Sequence, residues 1–211
     1  DSLVQASVEA NEVTRNTFDE FGRSISVGQY LGDNNEQHKA LAVGVYHDDS
    51  SSKGVLTTPV NVVEDPAENS GAVYVYEQFE DAELNLKGNW REVAYIKASN
   101  TEAGDLFGYS VSLSGNFLAV SAPGEDSLAS GVYPWKDEQD KENNLTPDGL
   151  NDDLNGAQAE VSNVAESSGA VYLFKRQNSD DGQWKQVAYI KPPENVPGVD
   201  GYNNSFGYKV V

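Results

Sequence analysis

The protein is 211 residues long and has 34 acidic against 14 basic side chains, a formal net charge of -20, and no cysteine. Nucleic acids and anionic membranes both select Lys/Arg-rich surfaces that displace counterions, so this charge balance excludes nucleic acid as a partner and disfavours an anionic bilayer. A composition of 38% hydrophobic and 10% aromatic residues is enough for a packed core, while the lack of Cys removes disulfides, zinc thiolate sites, iron–sulfur clusters and thiol nucleophiles.

Residues 1–20, DSLVQASVEANEVTRNTFDE, hold neither a basic n-region nor an apolar h-region, and no window approaches the roughly 18 apolar residues of a membrane span. They are expected to form a lead-in or the end of a preceding structural unit. Because the sequence starts at Asp1 without Met, it is expected to be a mature product or an excised piece of a longer protein.

Self-similarity appears from residue 21 onward. FGRSISV (21–27) is followed by LAVGVYHDD (41–49), NSGAVYVYE (69–77) and NWREVAYIKAS (89–99). The same order recurs as FGYSVSL (107–113), LAVSAPGED (118–126), SSGAVYLFK (167–175) and QWKQVAYIKPP (183–193), and FGYKVV (206–211) opens the pattern a third time. Each block is short, rich in β-branched and aromatic residues, and bounded by Gly, Asn, Asp or Pro, which is how strands are punctuated. In Gly71 to Tyr76 the valines alternate with Ala72 and two tyrosines, so both faces are apolar and burial between layers is expected. The pattern predicts an all-β fold of four antiparallel strands per repeat, stacked as propeller blades.

Phe107-Gly108 followed by Ser121-Ala122-Pro123 resembles the FG-GAP repeat of integrin α-subunit-like β-propellers, and AYIKASNTEAGDLFGYSVSLSGNFLAVSAPGEDS with SSGAVYLF resembles the versions found in bacterial secreted or surface proteins. The resemblance covers about residues 18–211 and divides the sequence into a first blade (21–99), a second blade (100–193) with a long acidic insertion (124–167), and a linker with the first strand of a third blade (194–211), together a partial propeller. Phe21, Phe107 and Phe206 are expected to begin innermost strands, and Trp90 and Trp184 to precede the outermost strand and cover the rim. The resemblance implies an extracellular or cell-surface location and a role in adhesion or ligand binding.

Functional groups are expected in the long connections between the second and third strands, since loops of such length in a compact domain carry function or are disordered. In the second of these, Asn151-Asp152-Asp153-Leu154-Asn155-Gly156 fits the first half of a calcium loop: oxygen donors at alternate positions and then a glycine for the turn. Asn151, Asp153 and Asn155 are the candidate ligands, with Asp148 and Glu160 as further donors. The position of the bidentate Glu in an EF-hand is occupied by Ser162, so an ordinary solvated acidic loop stands as the alternative. The resemblance implies a second calcium position in the turn between the first two strands, where Asp33 and Asn35 offer oxygens. The equivalent turn in the second repeat, SGNF, is too short to wrap an ion.

No catalytic signature stands out. The two histidines, His38 and His47, sit in polar stretches, and no nucleophile elbow, phosphate loop, dinucleotide fingerprint or His-Glu-x-x-His occurs. The expectation is a non-enzymatic binding module whose partner is a protein or glycan ligand, or further blades of the same protein or of neighbouring copies. Two alternatives are a structural module that assembles by blade stacking and an accessory domain of a larger secreted enzyme.

Overall fold

The computed structural model describes residues 19–32, 37–57, 67–81, 86–127, 129–134, 167–177, 183–193 and 205–211. It is all-β among these residues, with ten strands in two antiparallel sheets. In the first, β1 (Ser24–Leu31), β2 (Gln37–Val45), β4 (Ala72–Asp81) and β5 (Leu86–Ile96) lie side by side in sequence order, with β3 (Val55–Leu56) added outside β5. The second repeats this as β6 (Val111–Ser114), β7 (Phe117–Ala122), β9 (Ala170–Arg176) and β10 (Trp184–Ile190), with β8 (Val132–Pro134) outside β10.

The four-stranded blade is therefore present twice, and each copy gains a fifth strand that the repeat pattern does not predict. Both extra strands are cut from the long connection between the second and third strands. Val55 pairs with Ile96 and Val132 with Ile190, so the connection first runs to the far edge of its own sheet. That covers backbone groups which an exposed edge would leave unpaired.

The sheets pack face to face. Blade one contributes small side chains to the interface, Ala40, Ala42, Val73, Val75 and Ala94 among them, and blade two answers with Phe107, Leu118, Tyr172, Phe174 and Trp184. Small against large lets the two faces interdigitate at crystal-like density without strain. The alternation in β4 places Val73 and Val75 in this interface and Tyr74 and Tyr76 in a second cluster on the outward face of blade one, with Val43, Val45 and Tyr95. Both faces are apolar, as the sequence predicts.

The two tryptophans lie inside the fourth strands rather than before them. Trp184 is 2% exposed and packed between the blades, whereas Trp90 is half-buried on the outward cluster. Face packing therefore replaces the rim-covering role, because side chains within a strand stand on one sheet face or the other, Trp184 on the face towards blade one and Trp90 on the outward face.

Phe21 and Phe107 lie in turns just ahead of β1 and β6, and Phe206 lies in a similar turn, with no strand assigned to 206–211. What the Phe-Gly pair does is set the register between repeats. Leu106 N donates to Asn69 O at 3.0 Å and Phe107 N to Ser70 O at 2.9 Å, and Gly71 bridges Phe107 in parallel. At the next junction Ser205 N donates to Ser167 O at 2.9 Å and Phe206 N to Ser168 O at 3.0 Å. The residue before each Phe-Gly holds a positive φ, as does the residue before the Ser-Gly that opens each third strand: Glu20, Leu106 and Ser205 in the first set, Asn69 and Ser167 in the second. Left-handed backbone at non-glycine positions costs free energy, and it persists here because hydrogen bonds on both sides hold it.

Candidate functional site

Antiparallel pairing sorts the loops to two ends. The end of β2, the start of β4 and the segment joining β5 to β6 meet at one end, together with their equivalents in blade two. The β1–β2 and β6–β7 turns lie at the other.

At the first end each blade buries a lysine. Just after the fourth strands Lys97 follows Ile96 and Lys191 follows Ile190, and neither side chain has exposed surface. A buried ammonium needs an anion and full hydrogen bonding. Lys97 Nζ donates to Asp48 Oδ1 at 2.9 Å and to Ser70 Oγ at 2.8 Å. Asp48 Oδ1 also accepts from Tyr95 Oη at 2.8 Å and from Ser50 N at 3.0 Å. In blade two Lys191 Nζ donates to Glu125 and, at 2.6 Å, to Ser168 Oγ. The longer Glu125 also accepts from Asn100 Nδ2 at 3.1 Å, and Tyr189 Oη shares a 2.8 Å hydrogen bond with Ser127 Oγ.

The four groups in each blade, lysine, acid, serine and tyrosine, thus occupy matching positions in the two repeats. Burial lowers both lysine pKa values and the acids oppose that shift, while burial raises Tyr95 and Tyr189. A lysine beside a serine hydroxyl is the arrangement of some nucleophilic pairs, but here the ammonium is engaged by its carboxylate. Ser70 Oγ contacts Asp48 O at 3.1 Å and Ser50 O at 3.0 Å. The group is a clasp: it ties the start of the long connection, at Asp48–Ser50 or Glu125–Ser127, to its end at Ser70 or Ser168, and both to the end of the fourth strand.

Between the blades this end is acidic. Asp105, 3% exposed, accepts from Glu102 N at 2.9 Å, and its carbonyl accepts from Gly124 N at 3.1 Å. Burial pushes the Asp105 carboxyl well above the usual range, Glu125, Glu102 and Asp126 push the same way, and the Glu102 N–H pulls back. Since the folded-state pKa is raised, this contribution to stability is complete below the unfolded carboxyl value of about 3.9 and is lost as pH rises through the folded value. The expected result is that Asp105→Asn narrows the gap between the melting temperatures at mildly acidic and neutral pH. An unchanged gap would show that the buried carboxyl is not under charge strain.

A row of rings borders the same end. Tyr46 and Tyr109 lie 5.3 Å apart, Tyr109 and Tyr208 lie 5.0 Å apart, and Tyr109 Oη donates to Tyr208 Oη at 2.9 Å. Tyr46 Oη donates to Glu20 Oε2 at 2.8 Å. His47 packs against Tyr46 with the rings tilted by 52° and their centroids 4.0 Å apart, its Nδ1 3.9 Å from Glu20, while at the opposite end His38, in β2, stacks on Tyr30 at 5.2 Å.

Of the sequence-derived metal candidates, Asn151, Asp153, Asn155, Asp148 and Glu160 in the acidic insertion, and Asp33 and Asn35 in the β1–β2 turn, all lie outside the described residues. Among the described residues no group of three or more His, Asp or Glu side chains is arranged to hold a metal. The clasp is absent from the functional groups expected from sequence, although its signal is there: Lys97 and Lys191 recur at one position of an apolar strand block.

Residues 90–133 match the family model of the FG-GAP repeat. The protein contains an FG-GAP repeat. The match runs from Trp90 in β5 through the Phe107-Gly108 junction to Tyr133 in β8, so it spans the last strand of one blade and the first strands of the next. No curated protein and no solved structure gives a significant match. The FG-GAP signature residues therefore fall on the inter-blade lock and on the strand that leads into the Glu125 clasp. No helix among the described residues is long and apolar enough to cross a membrane.

Proposed function

We propose that this protein is a non-enzymatic, extracellular or cell-surface FG-GAP propeller segment that binds a protein or glycan ligand through the loops at its clasped end, with calcium assisting. The observation that carries this reading is the clasp itself. In both blades the same buried groups fasten the two ends of the connection after the second strand, while the connections differ in length and sequence. A rigid collar around a variable loop is how scaffolds present binding surfaces. FG-GAP repeats occur typically in extracellular proteins, and the acid-rich insertion suits a hard cation better than an anionic partner.

A calcium titration at fixed ionic strength tests the metal part. Calcium is expected to raise the melting temperature where equal ionic strength of sodium chloride does not, by an amount equivalent to about 2.7 kcal/mol at a hundredfold excess over the dissociation constant. Asp153→Ala with Asn155→Ala should remove the effect if the insertion is the site, and Asp33→Ala with Asn35→Ala if the β1–β2 turn is. No calorimetric heat at millimolar calcium would sink the calcium role. For ligand binding, replacing 135–166 with a short Gly/Ser linker should leave folding intact, since loop closure depends only weakly on length, and should abolish adhesion to ligand-bearing surfaces.

A second reading, assembly by blade stacking, draws on the outward face of blade one. Ile25 and Val27 there are 59% and 63% exposed, whereas their equivalents in blade two, Val111 and Leu113, are each 7% exposed against blade one. Sedimentation at increasing concentration separates the readings: a mass that stays monomeric throughout removes the second.

A further inference from the structure

The sequence contains neither cysteine nor methionine. Thiols and thioethers are the side chains that oxidants readily consume, and without them a one-electron oxidant is left with the 11 tyrosines and 3 tryptophans. Where the tyrosines stand in the fold therefore decides what oxidation does to this protein. Tyr74 and Tyr95 lie 5.1 Å apart, as do Tyr172 and Tyr189, but none of these four is more than 2% exposed. Tyr109 and Tyr208 differ: their hydroxyls meet in an exposed hydrogen bond of 2.9 Å, and Tyr208 is 61% exposed.

Each of the two follows a Phe-Gly pair, Tyr109 at the start of the second repeat and Tyr208 where the pattern opens a third time, while the first repeat has Arg23 at that position. Backbone and side-chain bonds hold the joint on both sides of the rings. Phe206 N donates to Ser168 O, Val210 N donates to Ser110 Oγ at 3.2 Å, and Ser110 Oγ donates to Val210 O at 3.3 Å. The rings are tilted by 48°, with their centres 5.0 Å apart and their oxygens 2.9 Å apart. They therefore converge towards the hydroxyl ends, and the carbons bearing the oxygens are closer than the ring centres. The ortho carbons are the next atoms along each ring. They carry much of the unpaired spin of a tyrosyl radical, and there two such radicals join.

We infer that Tyr109 and Tyr208 form an oxidative cross-linking site, at which a haem peroxidase with hydrogen peroxide joins consecutive repeats through a dityrosine bond. Each phenol gives up one electron and its hydroxyl proton. A bond forms between one ortho carbon of each ring, and each of those carbons then releases its proton while its oxygen regains one, which restores both phenols. The protein loses two hydrogens in all, and one hydrogen peroxide is reduced to two waters. Tyr46 is set apart from this chemistry. It lies 5.3 Å from Tyr109 edge to face, is only 8% exposed, and turns its hydroxyl to Glu20. The new bond would connect positions 99 residues apart and fasten a segment that forms no strand of its own.

The site depends on neither calcium nor a bound ligand, so its test and theirs fail separately. The intact protein, dilute and free of added metal, is treated with a haem peroxidase and an equimolar amount of hydrogen peroxide. The expected product is a monomer lighter by two hydrogens that shows dityrosine fluorescence. Its digest should join the peptide holding Tyr109 to the peptide holding Tyr208. Tyr109→Phe and Tyr208→Phe keep both rings in place and should each lose this product completely. Unfolding in urea before oxidation should also remove the link, because the fold supplies the proximity. The purified cross-linked protein is expected to melt about 5–10 °C above the untreated one, since a covalent loop of this length constrains the unfolded state. A bond mapped to another tyrosine pair, covalent dimers in place of the monomer, or oxygen added to tryptophan with no cross-link would each overturn the assignment. So would an equal yield from the Phe variants or from unfolded protein, or a melting temperature that does not rise.

Discussion

Replacing Lys97 with methionine is expected to lower the stability of the fold by about 3–5 kcal/mol, the cost of leaving a buried charge without its partner. The side chain has no exposed surface, so water cannot stand in for the lost ammonium. Asp48 would keep the hydroxyl of Tyr95 and the amide of Ser50, two neutral donors, around an ionised carboxylate. The second change Asp48→Asn removes the stranded charge while retaining an acceptor for Tyr95, and the double variant should recover most of the loss. Urea unfolding of the four proteins gives the coupling energy directly. If the single Lys97 variant lost less than about 1 kcal/mol, the level of an exposed pair, the clasp would be ornamental.

The second large effect concerns the lock between blades. Gly71 has φ of 81°, and a Cβ there would fall onto the Phe107 backbone. Gly71→Ala therefore combines about 1–2 kcal/mol for a left-handed alanine with about 1–3 kcal/mol for forcing the neighbouring repeat aside. A control is built into the same protein. Gly54 has φ of 75°, yet nothing lies within 4 Å of where its Cβ would be. Gly54→Ala should lose only the conformational share. Equal losses in the two variants would mean that the Phe-Gly to Ser-Gly contact does not hold the blades together.

Strand identity is legible in the sequence because the repeat shows it twice: any block misread once is corrected by its copy, and FGYSVSL or SSGAVYLF alternates too cleanly for a helix. Two things are hidden. The fifth strands, Val55–Leu56 and Val132–Pro134, are two and three residues long, too short for any periodicity, and they form because the fourth strand offers an open edge, which is a property of the assembled sheet. The clasp is hidden for another reason. Lys97 and Asp48 are 49 residues apart, and a lysine after an apolar strand reads as a solvated end until the acid that neutralises it is brought alongside. Weighing carboxylates by local spacing leads instead to the acidic insertion and passes over Asp105, whose position between blades comes from tertiary packing.

The lock between repeats has a consequence for how such a protein changes over generations. Its bonds run from backbone N–H to backbone carbonyl, through residues as unlike as Leu106 and Ser205 on one side and Asn69 and Ser167 on the other. Side-chain identity at these positions, one residue ahead of the Phe-Gly and Ser-Gly pairs, is therefore nearly silent in the backbone joint. A blade copied by duplication therefore arrives with the backbone joint to its predecessor already in place, leaving only the packed faces to be matched, and its loops are free to diverge from the first generation onward.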